Sequence, residues 1–177
     1  MAVKLAATVR TKLAGTIIAA IDAGGAAGKI IIYDGTQPVN PDTAVVAQKV
    51  LSEHTLSYPC GTALNGVLTF SAISEDQYAN ASGTATWARL LDSSGKAVAD
   101  VSVSVVGGNG DLQMNTVNII INGPIRFSSL QWTMPGAWCS GLNIPERSIK
   151  RTRGYGRRSG KRNNRGGQKW LSPCWRF

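Results

Sequence analysis

The sequence has few of the side chains on which most enzymes and metal proteins depend. It contains one histidine, three cysteines and ten acidic residues among 177. His54, beside Glu53 at the predicted end of a strand, is typical of a surface or hydrogen-bonded histidine rather than a general base. Cys60, Cys139 and Cys174 have the spacing of neither a zinc site nor a disulfide scaffold. We therefore expect no metal site.

The cysteines are interpreted as reduced thiols of an intracellular product. A bridge between Cys139 and Cys174 that pins the C-terminal segment is the alternative. Long apolar runs are also lacking: no stretch approaches the about 18 apolar residues that a membrane span needs. The apolar stretch near the N-terminus is interrupted by charged residues and has no cleavage site, so we expect neither a membrane segment nor a secretory signal.

Catalytic motifs are equally scarce. Glu75 and Asp76 are adjacent, so in a strand they would point to opposite faces and could not act as a paired acid and base. The glycine-rich residues 107–110 lack the Lys-Ser/Thr and the helix of a phosphate loop, and predict a hairpin turn. No G-x-S-x-G sequence occurs. We assign no catalytic, cofactor-binding or metal-binding residue and expect a protein that is not an enzyme.

Two alternatives concern the acidic residues. A glycosidase needs two carboxylates at a set separation, and only Glu53 is a candidate, a weak one. A calcium site built from several loops is the other, although no EF-hand spacing is present. Turn-forming aspartates explain the remaining carboxylates, since each neighbours a turn residue. These are Asp34, Asp42, Asp92 and Asp111.

Charge is divided unevenly along the chain. Residues 1–144 hold eight basic and nine acidic side chains, whereas residues 145–177 hold eleven basic side chains and only Glu146. The net charge of +9 therefore belongs to the C-terminal segment. Like charges repel and resist packing into a core, so this asymmetry indicates an interaction arm.

Short β-branched and alternating segments dominate the rest of the sequence. They predict a mainly β domain over residues 25–136, a jelly-roll or Ig-like β-sandwich of about seven or eight short strands. Residues 58–65 are turn-like, and Asn65-Gly66 and residues 92–95 predict tight turns. The predicted strands cover residues 29–33, 44–51, 67–70, 83–91, 97–106 and 125–134, with one more that contains Val117, Ile119 and Ile121.

An amphipathic helix is predicted over residues 1–24. Apolar residues recur every four positions, and glycines from Gly24 onward end the helix. The helix packs on its own domain or docks on a neighbouring subunit. The predicted partner contacts are Leu5, Val9, Leu13 and Ile17.

The basic arm, residues 137–177, lacks hydrophobic periodicity and cannot bury enough apolar surface to fold alone. Its cations could contact phosphates, and its tryptophans could stack on bases or anchor to a protein. Docking on protein, contact with nucleic acid and a solvated tail all stay open. The predicted contacts are Arg147, Lys150, Arg151, Arg153, Arg157, Arg158, Lys161, Arg162, Arg165, Lys169, Trp170 and Trp175.

Residues 1–136 resemble a family of small proteins from the structural gene modules of tailed bacteriophages. The most specific pieces are residues 33–38 (YDGTQP) and residues 83–87 (GTATW) followed by Arg89 and Leu90. These are scaffold and turn motifs. The resemblance does not extend to the arm.

The resemblance implies a virion component: a decoration, head–tail connector, collar or minor tail protein. Such a protein would be made in the host cytoplasm, form homo-oligomers and bind capsid, portal or neck proteins. The charge of the arm, which the resemblance does not cover, adds DNA contact as a further expectation. A nucleic-acid-binding protein that uses the basic arm is the alternative function.

Overall fold

Twelve short strands and one helix make up residues 3–138, which are the residues that the computed structural model describes. Four of the strands have only two residues. The elements are β1 (Val3–Lys4), α1 (Ala7–Ile21), β2 (Lys29–Asp34), β3 (Lys49–Thr55), β4 (Gly61–Leu64), β5 (Val67–Phe70), β6 (Gly83–Thr84), β7 (Trp87–Leu91), β8 (Ala97–Val105), β9 (Leu112–Met114), β10 (Asn118–Ile119), β11 (Gln131–Thr133) and β12 (Ala137–Trp138).

The largest sheet has five strands in the order β3-β2-β7-β8-β9. All neighbours are antiparallel except β8 and β9, which run parallel. A second sheet has three antiparallel strands in the order β11-β5-β4. Two short antiparallel pairs, β1 with β12 and β6 with β10, join distant parts of the chain.

One main core receives side chains from both larger sheets and from the helix. Ile30 and Ile32 of β2 enter it from the five-stranded sheet, Leu68 and Phe70 of β5 from the three-stranded sheet, and Ile21 from α1. The fold is therefore mainly β, and the mainly β prediction is confirmed.

A smaller cluster lies on the other face of the five-stranded sheet. Ile31 and Tyr33 of β2 pack there with Trp87 of β7. The rings of Tyr33 and Trp87 are stacked with centroids 4.3 Å apart. Strand β2 is consequently buried on both faces, as its run of three isoleucines predicts.

Several local predictions are confirmed. Residues 67–70 form β5, residues 29–33 lie in β2, and most of residues 97–106 form β8. Asn65 and Gly66 both have positive φ, 51° and 82°, as a two-residue hairpin turn between β4 and β5 requires.

Other boundaries are wrong, and the reasons are tertiary. The strand predicted over residues 44–51 is β3, which begins at Lys49. Residues before it form a loop in which the Gln48 side chain accepts hydrogen bonds from the Val46 and Ala47 amides. Residues 58–65, predicted as a turn, contain β4 because β5 is available as a partner.

The strand predicted over residues 83–91 is divided between two sheets. Strand β6 pairs with β10, β7 pairs with β2 and β8, and the Ala85 amide donates to the Val117 carbonyl at the break. In the segment 125–134 only β11 is regular, and around Ile119 only β10 is. Within residues 25–136, ten strands (β2 to β11) thus replace the seven or eight predicted.

Both ends of the predicted domain also differ. The helix covers Ala7–Ile21 rather than residues 1–24, because Val3 and Lys4 pair with Trp138 and Ala137. The paired backbone therefore runs two residues beyond the predicted domain end at 136.

Candidate functional site

Three of the four residues predicted to contact a partner lie on helix α1, and the structure gives the four different surroundings. Val9 and Leu13 are 43% and 39% exposed. Leu5 precedes the helix and is half-buried. Ile17 is half-buried and packs against the main core, so this chain already uses it. We name Val9 and Leu13 the helix patch.

The four-residue spacing explains the division. Each residue turns a helix by about 100°, so a step of four residues drifts by about 40°. The apolar residues of α1 at this spacing, Val9, Leu13, Ile17 and Ile21, therefore spread over about 120°. Such a stripe cannot face one surface. The side chains that face the domain are instead Ala14 and Ile21, which are fully buried, with Ile17 and Ile18 beside them.

Polar contacts near both ends hold the helix in place. The Gly66 amide, at the tip of the β4–β5 hairpin, donates to the Thr11 hydroxyl at 2.9 Å. The Asp22 carboxylate, just after the helix, accepts from the Cys60 amide at 3.1 and 3.2 Å. The helix patch is therefore presented on a fixed support. Leu64, at the end of the strand β4 that contacts α1, is a further exposed apolar side chain at 71%.

The predicted contacts of the arm, from Arg147 to Trp175, lie outside the described residues. The nearest described backbone is that of β12, which ends at Trp138. Residues 3–138 carry eight basic and nine acidic side chains, so the described part of the chain is close to neutral.

Ser52 and His54, which are buried, and Asp76, which is half-buried, form a polar cluster that the sequence reasoning missed. The Ser52 hydroxyl lies 2.7 Å from both His54 Nε2 and Asp76 Oδ2. His54 Nδ1 lies 2.9 Å from the Ser74 carbonyl. Ser52 and His54 are 0% and 1% exposed. The signal was their spacing of two on one strand, which places them on the same face, opposite Ile32 and Ile30 of β2.

This cluster has the residue types of a serine hydrolase but another connectivity. In a catalytic triad the carboxylate contacts the histidine and the histidine contacts the serine. Here Ser52 stands between His54 and Asp76, and the other nitrogen of His54 faces a backbone carbonyl. The Ser52 hydroxyl is buried and hydrogen-bonded to both His54 and Asp76, so its role is to connect strand β3 to the loop that contains Asp76.

Burial sets the protonation of this cluster. It lowers the pKa of His54, an effect that the Ser74 carbonyl and the Asp76 carboxylate oppose only in part. Burial acts to raise the pKa of Asp76, but hydrogen bonds from Ser52, Tyr78 and Glu53 outweigh it and hold that pKa below its usual value. Asp76 is therefore a carboxylate at neutral pH.

Two further buried polar groups have structural partners. The Arg89 guanidinium makes a bidentate pair with Asp100, with contacts of 2.6 and 2.7 Å, and donates to the Thr43 carbonyl. This pair ties the loop before β3 to the smaller cluster beside Trp87. Burial and the neighbouring Asp22 raise the pKa of the Cys60 thiol to about 12, so this thiol is a poor nucleophile.

Within residues 3–138, no three His, Cys, Asp or Glu side chains converge as metal ligands would. The helix of this part of the chain is too short and not apolar enough to cross a bilayer. Comparisons with protein-family models, with curated proteins and with solved structures found no match to the chain.

Proposed function

We propose that this chain is a non-catalytic structural component of a tailed-bacteriophage virion: a decoration, head–tail connector, collar or minor tail protein. The observation that carries the proposal is the helix patch on its fixed support. Val9 and Leu13 stay exposed although contacts of Thr11 and Asp22 immobilise the helix. A preorganised apolar surface suits a lasting contact, because little ordering entropy is lost when it is buried.

The architecture supports this role. We infer that the five-stranded and three-stranded sheets are the two layers of a β-sandwich, because both contribute side chains to one core. Most soluble oligomers are symmetric assemblies of identical chains, in which each copy presents the same surface patch. The expected partners are other copies of this chain and capsid, portal or neck proteins, and the expected location is the virion.

The composition of purified particles tests the proposal. Particles of the phage that encodes the chain are purified through a density gradient, and the chain is quantified by mass spectrometry against the capsid protein. We expect a fixed copy number per particle, a multiple of the local symmetry. A chain that is present in the infected lysate but absent from gradient-purified particles would rule the proposal out. A host protein of similar abundance serves as the carry-over control.

Charge segregation favours a second function, nucleic-acid binding through the arm. The described residues are nearly neutral, whereas residues 145–177 carry eleven of the nineteen basic side chains. Binding of duplex DNA by the full chain and by a chain that ends at Trp138 distinguishes the two functions. The truncation keeps Trp138 because β12 pairs with β1. Equal binding by both chains would remove the arm as a nucleic-acid contact.

A further inference from the structure

A cleft of about 570 Å³ opens between β9 of the five-stranded sheet and β11 of the three-stranded sheet, and we name it the edge cleft. Its floor is apolar: Leu112, Leu130 and Met134 are buried side chains of the main core. Its walls are β9 and β11, which are edge strands of the two larger sheets, so the cleft is the gap between these two sheet edges.

The backbone of both walls faces the cleft. The Leu130 carbonyl and the Met134 amide bond to Phe70 and Gly66, on the β5 side. Because amide and carbonyl groups alternate in direction along a strand, those of Gln131 and Thr133 point away from β5. The Met114 carbonyl likewise accepts from the amide of Val106, the residue after β8, so the backbone of its neighbour Gln113 is directed away from β8.

Open strand edges of this kind bind extended chains. Unpaired amides and carbonyls form a template for a further strand, and pockets for alternate side chains provide specificity. The cleft therefore offers main-chain partners and an apolar floor.

Charge indicates the character of the occupant. Among the described residues Asp100 and Asp111 line the edge cleft and no lysine or arginine does. Arg89 neutralises Asp100, while Asp111 is exposed. A basic segment is thus favoured over an acidic one.

The last eight residues of the chain have the matching pattern. In residues 170–177 (WLSPCWRF), every second position from 171 onward is apolar: Leu171, Pro173, Trp175 and Phe177. An extended strand would place these four on one face, and Ser172, Cys174 and Arg176 on the other. Pro173 has no amide to donate, so the added strand pairs along β11 and leaves its other edge unpaired, the position in which a strand tolerates proline.

We propose that residues 170–177 of this chain add a strand in its own edge cleft, with Leu171, Trp175 and Phe177 toward the floor. The cleft wall includes Pro135, close to the end of the described chain at Trp138, and 31 residues separate Trp138 from Trp170. A chain of that length spans about 30 Å on average, against a radius of gyration of about 14 Å for the domain. The tail therefore reaches the cleft at high effective concentration.

This docking gives the arm a defined form that goes beyond the proposed function. With its end anchored, the basic stretch from Arg147 to Lys169 becomes a loop held at both ends, presented to a partner. The tail docking does not depend on which partner that is, so it can fail while the virion role stands.

A disulfide test uses the native Cys174. Gln131 is exposed on β11 and so shares the outward face expected for Cys174. The full-length variant Q131C/C139S is oxidised with glutathione, and crosslinked peptides are identified by mass spectrometry. The matched control is V39C/C139S, since Val39 is 98% exposed and does not line the cleft. Cys60 is buried and stays out of the exchange.

We expect the Q131C chain to crosslink to Cys174 within monomers, roughly tenfold more than the V39C chain, because docking raises the effective concentration of one thiol at the other. Equal crosslinking in the two variants would overturn the proposal. Crosslinked dimers on a non-reducing gel would overturn the assignment to the chain's own cleft and place the tail on a neighbouring copy.

Amide hydrogen exchange provides the second measurement on the full chain. The amides of Gln131 and Thr133 are expected to be protected and to exchange at least about tenfold faster in L171E/W175E, which charges the inward face. The control S172E/C174E adds the same charge to the outward face and should retain protection. Fast exchange in the unmodified chain, or equal effects of both variants, would overturn the proposal.

Discussion

Ser52, His54 and Asp76 connect three segments that are distant along the chain. Ser52 and His54 belong to β3, Asp76 to the loop that follows β5, and the His54 ring meets the edge of Phe127, with centroids 4.6 Å apart. Asp76 also exchanges two backbone hydrogen bonds with Ile125. The only histidine therefore fixes the irregular segments against the edge of the large sheet, a role that burial and hydrogen bonding explain without chemistry.

That burial predicts an acid-sensitive fold. Because the pKa of His54 is lowered in the folded chain, the unfolded chain binds the proton more readily. Stability is then complete above the unfolded pKa of about 6.5 and is lost as the pH falls below it. We expect the melting temperature to fall between pH 7.5 and pH 5.5 (about one unit either side of that pKa), and to fall less in His54→Gln.

Few other groups interfere with this measurement between pH 5.5 and pH 7.5 (about one unit either side of the histidine pKa). His54 is the only histidine, and the lowered pKa of Asp76 keeps that carboxyl ionised throughout. The ring resonances of His54 can be followed by NMR without assignment ambiguity. A histidine pKa above about 6.5, or the same loss of melting temperature in both proteins, would contradict the burial argument.

At the scale of elements, the contact between helix α1 and the β4–β5 hairpin depends on Gly66. Its φ is +82°, and a Cβ there would lie 2.9 Å from Arg10 Cβ. Gly95 has nearly the same φ, +86°, with nothing within 4 Å. Gly95→Ala therefore measures the backbone cost alone, about 1–2 kcal/mol for a left-handed residue. We expect Gly66→Ala to lower the free energy of unfolding by more, since Arg10 must also move.

Chemical denaturation of the two variants checks this difference. The difference between them isolates the fit of the helix against the hairpin, because the backbone penalty is shared. Equal losses would mean that Arg10 yields freely and that the hairpin tip does not determine where the helix sits.

The strands around this hairpin show how much of the fold could be predicted from local sequence. Strand β5 and the Asn65-Gly66 turn have strong local signals, β-branched and aromatic alternation beside a residue pair suited to positive φ, and both were predicted. Strand β4 has no such signal and exists because β5 pairs with it. The break between β6 and β7 depends on β10, which is about 30 residues away in the sequence.

Some residues of the candidate site could likewise be predicted from local sequence and others could not. The exposure of Val9 and Leu13 followed from apolar residues on a helix, but the loss of Ile17 to the core did not, since the four-residue spacing conceals the drift around the helix axis. The Ser52–His54–Asp76 cluster depends on pairing across 24 residues of chain, which no local pattern encodes.

Self-association tests the helix patch. In the double variant Val9→Glu/Leu13→Glu, two charges replace the exposed apolar side chains, so burial of the patch against a second copy becomes costly. We expect at least about a tenfold weaker association constant in sedimentation, equivalent to about 1.4 kcal/mol. The matched control is Val39→Glu/Val46→Glu, at valines that are 98% and 88% exposed away from the helix.

Both variants should melt close to the unmodified chain, since all four side chains are exposed. If the control weakens association as much as the helix variant, net charge rather than the helix patch governs assembly. If neither variant changes association, copies of this chain meet through another surface.

At the scale of the whole molecule, the net charge differs between residues 3–138 and the C-terminal arm. Residues 3–138 have almost no net charge, and their two larger sheets and helix contribute side chains to one main core. The basic arm begins where β12 closes this part of the chain by pairing with β1. The described residues therefore supply a defined shape with little net charge, and the excess of positive charge lies in residues 145–177.

This separation makes the salt dependence of DNA binding a decisive measurement. Each phosphate that a cation neutralises releases counterions, which contributes about −0.9 to the slope of log affinity against log salt. If all eleven basic side chains of residues 145–177 met phosphates, the slope would approach about −10, and partial engagement would give proportionally less. A chain that ends at Trp138 should lose this dependence, because its eight basic side chains are balanced by nine acidic ones.

A steep slope that vanishes on truncation would place the arm against the genome or its path. A slope near zero at moderate salt for the full chain would mean that the charge serves protein neighbours, and the arm would then be an assembly contact like the helix patch.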